Sequence, residues 1–286
     1  MTELVVAAIQ MCSGIDPANN IVVMERLVRE AAARGASYVQ TPEMTGAIQQ
    51  DRKALFASLS TEEDDAVVRA ASRLAAELGI FLHLGSTGVD AGDGMAANRG
   101  FVFDPRGRKI ASYDKIHMFD VDLDGGESWR ESTAYRPGSL AVNADMDGML
   151  IGMGICYDVR FPQLFRDLSL AGASILTAPA AFTRQTGMAH WHVLQRARAI
   201  ENGAFMISAA QAGRHEDGRE TYGHSLIIDP WGRIVAEAET DEPGVVLAKI
   251  DISAVAAARA KIPNLKNARP YRMAEVVTGS VRERVA

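Results

Sequence analysis

Met149-Leu150-Ile151-Gly152-Met153-Gly154-Ile155-Cys156-Tyr157-Asp158-Val159-Arg160-Phe161-Pro162 is the stretch of sequence that decides the fold. Its apolar first half runs straight into Cys156, and polar residues, Phe161-Pro162 and a helix-like pattern follow. This pattern predicts a strand that turns sharply into a helix and presents the sulfur of Cys156 at the carboxyl edge of a sheet, where open α/β sheets bind ligands. The helix start and any neighbouring cation would favour the thiolate form of Cys156 over the thiol.

The rest of the chain alternates strand and helix patterns on both sides of this turn. A helix is expected from Asp16-Pro17, and a capping-box pattern opens a second one after Ser60. The alternation, with several strands in direct succession, predicts one α/β domain over residues 1–267 whose sheets are not purely parallel. Residues 116–148 are expected to form a long polar loop, and residues 268–286 a C-terminal tail that serves as an oligomerisation arm. Strands are expected at 4–11, 38–41, 80–85, 100–104, 109–113, 174–178, 205–211, 224–229 and 245–250, and further helices after Pro162 and at 187–202.

Composition and charge exclude several classes of protein. Hydrophobic content of 48% and charged content of 23% predict an ordinary globular protein whose core needs no disulfide or metal. The net charge of -6 and the lack of a dense Lys/Arg block argue against nucleic acid and membranes as partners. No apolar run approaches the roughly 18 residues of a membrane helix, and the start lacks the basic region of a signal peptide. Only Cys12 and Cys156 are present, which suits free thiols in a reducing cytoplasm.

A nucleophilic cysteine needs a base, and a carboxylate can serve. Glu43 lies just past a strand end, at the same expected edge as Cys156, and Lys115 follows another strand. The alternatives are structural: a lone cysteine is usually a small buried hydrophobe, while Glu43 and Lys115 could be solvated surface side chains. Cys12, after the first strand, is expected to lie in the core.

The six histidines have no spacing that selects a base or a metal site. His190 and His192 lie two apart on a predicted helix, so they do not share a face, which disfavours a metal pair. His83 lies within a predicted strand and is expected to be a core residue. No metal, phosphate or dinucleotide motif is present, so neither a metal nor a cofactor is expected. The remaining histidines are His117, His215 and His224.

Three strand-end residues stand in contexts that match one known family. Glu43 occurs in Thr41-Pro42-Glu43-Met44, Lys115 in Tyr113-Asp114-Lys115-Ile116-His117-Met118-Phe119-Asp120, and Cys156 in the opening stretch. Their order and contexts resemble the nitrilase superfamily of carbon–nitrogen hydrolases, whose triad is Glu–Lys–Cys in that order. The resemblance covers nearly the whole chain, with further matching blocks at 179–183, 186–191, 196–202, 222–225 and 229–232.

The resemblance implies a fold, an assembly and a branch of the family. The implied fold is a four-layer α-β-β-α sandwich with mixed, largely antiparallel sheets. Members commonly pair, so a homodimer or higher homo-oligomer is expected, with the helix from Gly187 and the C-terminal tail at the interface. Cys156-Tyr157-Asp158 is similar to the amidase branch, because nitrile hydrolases usually carry Trp-Glu after the cysteine.

The resemblance also implies a role for each site residue. Glu43 would act as general base and acid, and Cys156 as the nucleophile that forms a thioester. Lys115 and the backbone N–H of Tyr157 would stabilise the oxyanion. Glu131 looks like the second glutamate of the family, which orients the lysine or the substrate amide. The nearby Glu127 is the alternative for that position.

The implied substrate is a small amide that carries a carboxylate and releases ammonia, such as a 2-oxo acid amide of the deaminated-glutathione kind. An omega-amidase or an N-carbamoyl amide hydrolase is the alternative, and a non-catalytic scaffold is the alternative from a different class. Arg160, Thr183 and Arg184 could bind the carboxylate, although Arg160 could instead pair with Asp158 or another structural carboxylate. His192 stands where related sequences commonly have a glutamate, which could alter the pocket or only a helix surface.

Overall fold

The computed structural model describes residues 3–277 and 280–284. Three short 3-10 turns accompany the helices, at Asp124–Gly126, Glu131–Thr133 and Cys156–Arg160. The helices are α1 (Pro17–Ala33), α2 (Arg52–Ser58), α3 (Ala66–Leu78), α4 (Pro162–Leu170), α5 (Arg184–Asn202) and α6 (Ser253–Lys261). The strands are β1 (Glu3–Gln10), β2 (Tyr38–Gln40), β3 (Phe81–Asp90), β4 (Ala96–Phe103), β5 (Lys109–Asp114), β6 (Asp120–Asp122), β7 (Ser128–Arg130), β8 (Val142–Met146), β9 (Met149–Met153), β10 (Ile175–Thr177), β11 (Phe205–Ser208), β12 (Ala212–Arg214), β13 (Glu220–Tyr222), β14 (Leu226–Ile228), β15 (Ile234–Glu237), β16 (Gly244–Asp251), β17 (Met273–Val277) and β18 (Ser280–Arg284).

Two six-stranded sheets form the centre of the molecule. The first sheet has the order β16-β1-β2-β3-β4-β5 and the second the order β15-β14-β11-β10-β9-β8. In each sheet three of the five strand pairs are antiparallel and the two central pairs are parallel. Helices α1 and α3 cover the first sheet, and α4 and α5 cover the second. This arrangement confirms the predicted four-layer α-β-β-α sandwich with mixed, largely antiparallel sheets.

Strand β1 shows how the sequence sets these layers. Successive side chains of a strand point to opposite faces. Val6 and Ala8 lie in the core between the two sheets, whereas Ala7 and Ile9 lie in the core beneath α1 and α3. A strand buried on both faces is a continuous apolar run. β1 also pairs over its whole length with β16, a strand from near the other end of the chain.

Strand direction brings three loops to one place. β1, β2 and β3 run parallel, and β5 points the same way because it is two antiparallel steps from β3. The segments that follow β2 and β5 therefore leave the first sheet at the same edge, and the segment after β9 leaves the second sheet at the carboxyl end of its central parallel strands. Ligand sites of α/β sheets form at such edges.

Several elements differ from the sequence expectations. Residues 116–148 are not one long loop, because β6 and β7 pair as a ribbon and β8 forms the edge of the second sheet. The short helix α2 and the helix α6 were not predicted. Helix α5 begins at Arg184 rather than Gly187, since the Thr183 side chain caps it by accepting a hydrogen bond from the Thr186 backbone. No helix within the described ranges is long and apolar enough to cross a membrane.

Candidate active site

The turn after β9 holds Cys156 in a strained conformation. The backbone φ of Cys156 is 49°, in the left-handed region that non-glycine residues rarely adopt. Its backbone N–H donates to the Pro179 carbonyl at 2.9 Å, which fixes the turn to the segment after β10. Ile155 N–H donates to Asp158 Oδ2 at 2.9 Å across the turn. Backbone strain of this kind persists only where the surroundings over-determine it.

Asp158 supplies much of that support from a fully buried position. Its Oδ2 also accepts a 2.7 Å bond from the Tyr113 hydroxyl, and its Oδ1 accepts from the His117 backbone at 3.0 Å and from His117 Nδ1 at 2.7 Å. These bonds tie the cysteine turn to β5 and the residues after it. The alternative pairing of Arg160 with Asp158 is wrong, since Arg160 lies instead beside His190, with 3.3 Å between the side-chain nitrogens.

Glu43 is buried three residues past the end of β2. Its Oε1 accepts hydrogen bonds from Lys115 Nζ and from Asn98 Nδ2, both at 2.9 Å. Its Oε2 accepts one from the Ala181 backbone N–H at 2.8 Å. The carboxylate is thus held from the first sheet and from the segment after β10, and it faces the Cys156 thiol closely enough for the two groups to interact.

Lys115 follows β5 directly and joins two carboxylates. Besides Glu43, its ammonium donates to both oxygens of Glu131, at 2.9 and 2.8 Å. The side chain is only 2% exposed, and Glu131 is anchored in turn by the Phe119 backbone N–H at 2.7 Å. Glu127 is not beside the lysine; it accepts a 2.6 Å bond from Trp129 Nε1. The structure therefore brings Glu131, and not Glu127, to Lys115.

The charges of this group are set by burial and by one another. Burial alone raises the pKa of Glu43, but the Lys115 charge and the hydrogen bonds to the carboxylate hold that pKa below its ordinary value. Burial lowers the pKa of Lys115, yet the carboxylates of Glu131 and Glu43 raise it well above the ordinary lysine value. The resting pair is therefore an ammonium and a carboxylate.

The protonation of Cys156 differs from the sequence expectation. Burial, together with the Glu43 carboxylate, raises the pKa of the Cys156 thiol well above its ordinary value, and Lys115 opposes this only in part. The expected preference for thiolate is wrong for the resting protein, because the short 3-10 turn and one shared cation do not outweigh desolvation. A thiol next to a carboxylate can give its proton to that carboxylate when a substrate arrives.

These side chains line one cavity of about 580 Å³, a size that suits a small organic ligand. Tyr157 and Thr183 line it too. Arg184 does not; it forms an ion pair with Asp241 at the surface. Arg160 flanks the cavity wall, with its guanidinium carbon 5.8 Å from the Tyr157 ring centroid. Further lining residues include Met44, Arg52, Phe119, Glu127, Trp129, Arg130 and Arg219.

Comparison with known proteins identifies the family. The family model described as carbon–nitrogen hydrolase matches residues 5–260. The chain belongs to that family. A deaminated glutathione amidase of Yersinia enterocolitica is 36% identical over 268 residues, which are 92% of each chain. As a carbon–nitrogen hydrolase the chain is an enzyme, an amidase that cleaves carbon–nitrogen bonds.

Solved structures agree with the family assignment. The Caenorhabditis elegans NitFhit protein superposes with a TM-score of 0.85 at 32% identity, over 94% of this chain and 66% of that one. Saccharomyces cerevisiae Nit3, a member of branch 10 of the nitrilase superfamily, superposes with a TM-score of 0.82 at 26% identity, over 92% of this chain and 95% of that one. The predicted membership of the nitrilase superfamily is confirmed.

Two residues of this hydrolase's candidate site were missed by the sequence analysis, one behind the carboxylates and one at the cavity wall. Asn98, buried on β4, donates to both Glu43 and Glu131 through one amide nitrogen, the second bond being 3.2 Å long. Arg219, between β12 and β13, lies over Trp129, with its guanidinium carbon 4.4 Å from the ring centroid. Neither residue stands at a recognisable strand end or motif, so only the assembled fold reveals them.

Arg219 and Arg52 both line the cavity without an ion pair among the described residues. Arg130, which also lines it, pairs with Asp122. Arg219 Nε is buried and has no hydrogen-bond partner within the residues that the structure describes. That nitrogen is closed off from the cavity, but the guanidinium lines the cavity wall without an ion pair among the described residues, which suits a negatively charged ligand group.

Proposed function

We propose that this amidase cleaves a small carboxylate-bearing amide through a thioester on Cys156. The observation that carries the proposal is the buried Lys115 ammonium, which bonds to both Glu43 and Glu131 at the cavity that Cys156 lines. A thiol, a carboxylate and an ammonium at one wall can supply the nucleophile, the base and the oxyanion partner of amide hydrolysis. A non-catalytic scaffold would need none of the three.

The first half-reaction forms the thioester. The Glu43 carboxylate takes the proton of the Cys156 thiol as the sulfur attacks the amide carbon. The Lys115 ammonium and the backbone N–H of Tyr157 stabilise the negative oxygen of the tetrahedral intermediate, and one such donor contributes roughly 10²–10³-fold in rate. Glu43 then gives the proton to the leaving nitrogen, the carbon–nitrogen bond breaks, and an amine departs.

The second half-reaction releases the acid. Glu43 takes a proton from water, the hydroxyl oxygen attacks the thioester carbon, and the proton returns to the Cys156 sulfur as the carbon–sulfur bond breaks. Glu131 and Asn98 act as positioning residues throughout, because their bonds hold Lys115 and Glu43 in place. Glu43 needs a low pKa to remain a base at neutral pH, and its surroundings supply it.

We propose deaminated glutathione or a related 2-oxo acid amide as the substrate. Relatives named deaminated glutathione amidase support this choice, as does the Arg219 guanidinium, which lines the cavity without an ion pair among the described residues and suits a substrate carboxylate. The leaving group depends on the substrate: a primary amide releases ammonia, whereas deaminated glutathione releases the amine of its cysteinylglycine portion. An omega-amidase or an N-carbamoyl amide hydrolase remains the alternative within the same chemistry.

A substrate panel tests the reaction and its specificity. Purified protein is incubated with deaminated glutathione, a primary amide of a 2-oxo dicarboxylic acid, an N-carbamoyl amino acid and a nitrile, and the released acid and amine are both measured. The proposal expects turnover of deaminated glutathione and a substrate-derived mass on Cys156 after rapid acid quench. Turnover with Cys12→Ser, the control thiol, should be unchanged. Preferred turnover of the primary amide or the carbamoyl compound would favour the alternative, and adducts only on Cys12 would refute the mechanism.

Three arginine variants test which cation binds the carboxylate. Arg219→Ala is expected to lower kcat/KM for the acid at least about tenfold, since hydrogen bonds to charged groups contribute about 1.5–3 kcal/mol. The loss should be smaller for the matched neutral ester. Arg160→Ala tests the other candidate, which packs against the cavity wall. Arg184→Ala is the surface control. Equal losses on acid and ester, or the largest loss at Arg184, would contradict the assignment to Arg219.

We also propose that copies of this chain pair into a homodimer or higher homo-oligomer through the exposed face of α5. Met188, Val193 and Ile200 on that helix are exposed large apolar side chains, 68%, 69% and 49% accessible, and pairing would bury them. The tail, residues 268–286, is a proposed arm of the assembly, and β17 and β18 pair only with each other within the described residues. Light scattering tests the interface, because Val193→Glu is expected to lower the molar mass of the oligomer.

The free thiols Cys12 and Cys156 support a cytoplasmic site of action.

A further inference from the structure

We infer that His192, His224 and Glu237 form a binding site for a divalent transition metal ion such as Zn²⁺, separate from the cavity. The three side chains come from α5, from the residue two before β14, and from the end of β15. One ligand atom from each lies within 4.8 Å of the others. The inference does not depend on the proposed substrate or mechanism.

Both histidine side chains contact the same carboxylate oxygen of Glu237. His192 Nε2 and His224 Nδ1 each lie 2.7 Å from Glu237 Oε1. The two imidazole rings are 5.3 Å apart at 73°. The side chains are 31%, 27% and 23% exposed, so an ion could reach them while their rotamers stay restricted.

The donor set fits zinc. Imidazole nitrogen and carboxylate oxygen are common zinc ligands, and two histidines with one carboxylate leave a fourth position for water. An ionised carboxylate can only accept, so both ring nitrogens now donate hydrogen to Glu237. When an ion binds, each ring carries its hydrogen on the other nitrogen. Tetrahedral zinc with bonds of about 2.0 Å separates its ligand atoms by about 3.3 Å, so each nitrogen would move away from Oε1 by about 0.6 Å.

The position of His224 is fixed at a cost in backbone strain. Its φ is 57°, in the left-handed region. Trp191 Nε1 donates to the His224 carbonyl at 2.8 Å, and the His224 ring stacks on Tyr222 with centroids 4.4 Å apart. Strained non-glycine residues cluster at functional sites, because the surrounding structure must hold them. The imidazole is therefore presented in one orientation toward the other two ligands.

A bound ion would cross-link α5 to the second sheet through its bonds to the three side chains. His192 lies in the third turn of that helix, and Thr186 in its first turn borders the cavity. The expectation of no metal rests on the lack of a short sequence motif, whereas these three residues come from three distant elements and leave no such motif. The competing interpretation is a hydrogen-bonded cluster that never meets a metal.

Zinc titration of the full chain separates the two interpretations. Protein stripped with EDTA and dialysed free of chelator is titrated with Zn²⁺ by calorimetry, and the bound metal is counted by elemental analysis. One equivalent is expected in the wild type. His192→Ala and Glu237→Gln should each weaken binding at least about tenfold, whereas His190→Ala, on the same helix, should not. Glu237→Gln keeps the side-chain shape, so it remains informative if His192→Ala folds poorly.

Titration with Co²⁺ in place of Zn²⁺ shows whether the metal is bound by a cysteine thiol or by the proposed site. Co²⁺ held by Cys12 or Cys156 adds an intense sulfur charge-transfer band, and cobalt at the proposed site does not. The expected result is a weak visible spectrum that His192→Ala abolishes, together with a rise in melting temperature on adding Zn²⁺ that is also lost. Wild type without a bound equivalent, equal binding by wild type and both ligand variants, or a sulfur band as the main signal would overturn the inference.

Discussion

Lys115→Met is the substitution for which the structure gives the sharpest expectation. Methionine keeps most of the side-chain length but removes the charge. The ammonium makes three bonds of 2.8–2.9 Å to two carboxylates, and it is almost completely buried. The variant therefore leaves Glu43 and Glu131 next to each other with no cation between them.

The expected cost is large on both stability and rate. Removing one partner of a buried ion pair costs about 3–5 kcal/mol, because the remaining charge stays desolvated. That is a substantial part of the roughly 5–15 kcal/mol that stabilises an ordinary domain. Turnover should fall at least about 10²–10³-fold, which is the contribution of one oxyanion donor. Lys115→Arg should also fail, since a planar guanidinium cannot replace a compact ammonium there.

The stability cost should depend on pH in a definite direction. In the wild type the pKa of Glu43 lies below 4.5, so its stabilising contribution is present above that pH and is lost as the pH falls through the lowered pKa. Without Lys115, burial is left to raise this pKa, and the carboxylate then destabilises the fold at neutral pH until protonation relieves it. The loss in unfolding free energy should therefore be larger at about pH 7.5 than at about pH 5.

Urea unfolding at the two pH values, with kcat measured on the same preparations, provides the assay. Lys109→Met is the matched control, because Lys109 pairs with Glu62 at the surface and is 45% exposed. Its effect on stability should be small at both pH values. An equal loss for Lys115→Met at both pH values, or turnover within tenfold of the wild type, would refute the reasoning.

Three further expectations concern single groups. Cys156→Ala should abolish turnover while circular dichroism and melting temperature stay near those of the wild type; activity above background would point to another nucleophile. Asp158→Ala removes a buried carboxylate that accepts four hydrogen bonds, so urea unfolding should show a loss on the order of 3 kcal/mol, and a loss under 1 kcal/mol would contradict the role given to it. Because the pKa of Glu43 is lowered and that of Cys156 is raised, kcat/KM should be flat between about pH 6 and 8 and decline only in acid as Glu43 is protonated; a rise with thiolate formation near the ordinary cysteine pKa of 9.0 would speak against the carboxylate base.

The fold and the convergence of Glu43, Lys115 and Cys156 at one cavity were predictable because both leave local signals in the sequence. A buried strand followed by a turn marks the surroundings of Cys156, and the same is true near Glu43 and Lys115. The resemblance of these three contexts, in this order, to those of the nitrilase superfamily then linked them to one site. The fold class followed from the alternation of strands and helices and from the same resemblance.

Other features depend on distance in space and had no such signal. Asn98 reaches the Glu43 and Glu131 carboxylates from a mid-strand position, and Arg219 reaches the cavity from a loop; any polar residue would look ordinary at either place. The protonation of Cys156 was predicted in the wrong direction, because the degree of desolvation is a property of the assembled core. Short strands such as β6 and β7 were missed because a strand of three residues is too short to show the alternation of apolar and polar side chains.

The pairing of β1 with β16 has a consequence for how the enzyme is made. On the ribosome, the first strand emerges with one side bare, and its partner of eight residues is translated only after more than 230 further residues have been added. Until then β1 presents an open row of backbone donors and acceptors, which is a template for joining other nascent chains. Messages cut short before Gly244 should therefore yield insoluble fragments and not smaller working enzymes.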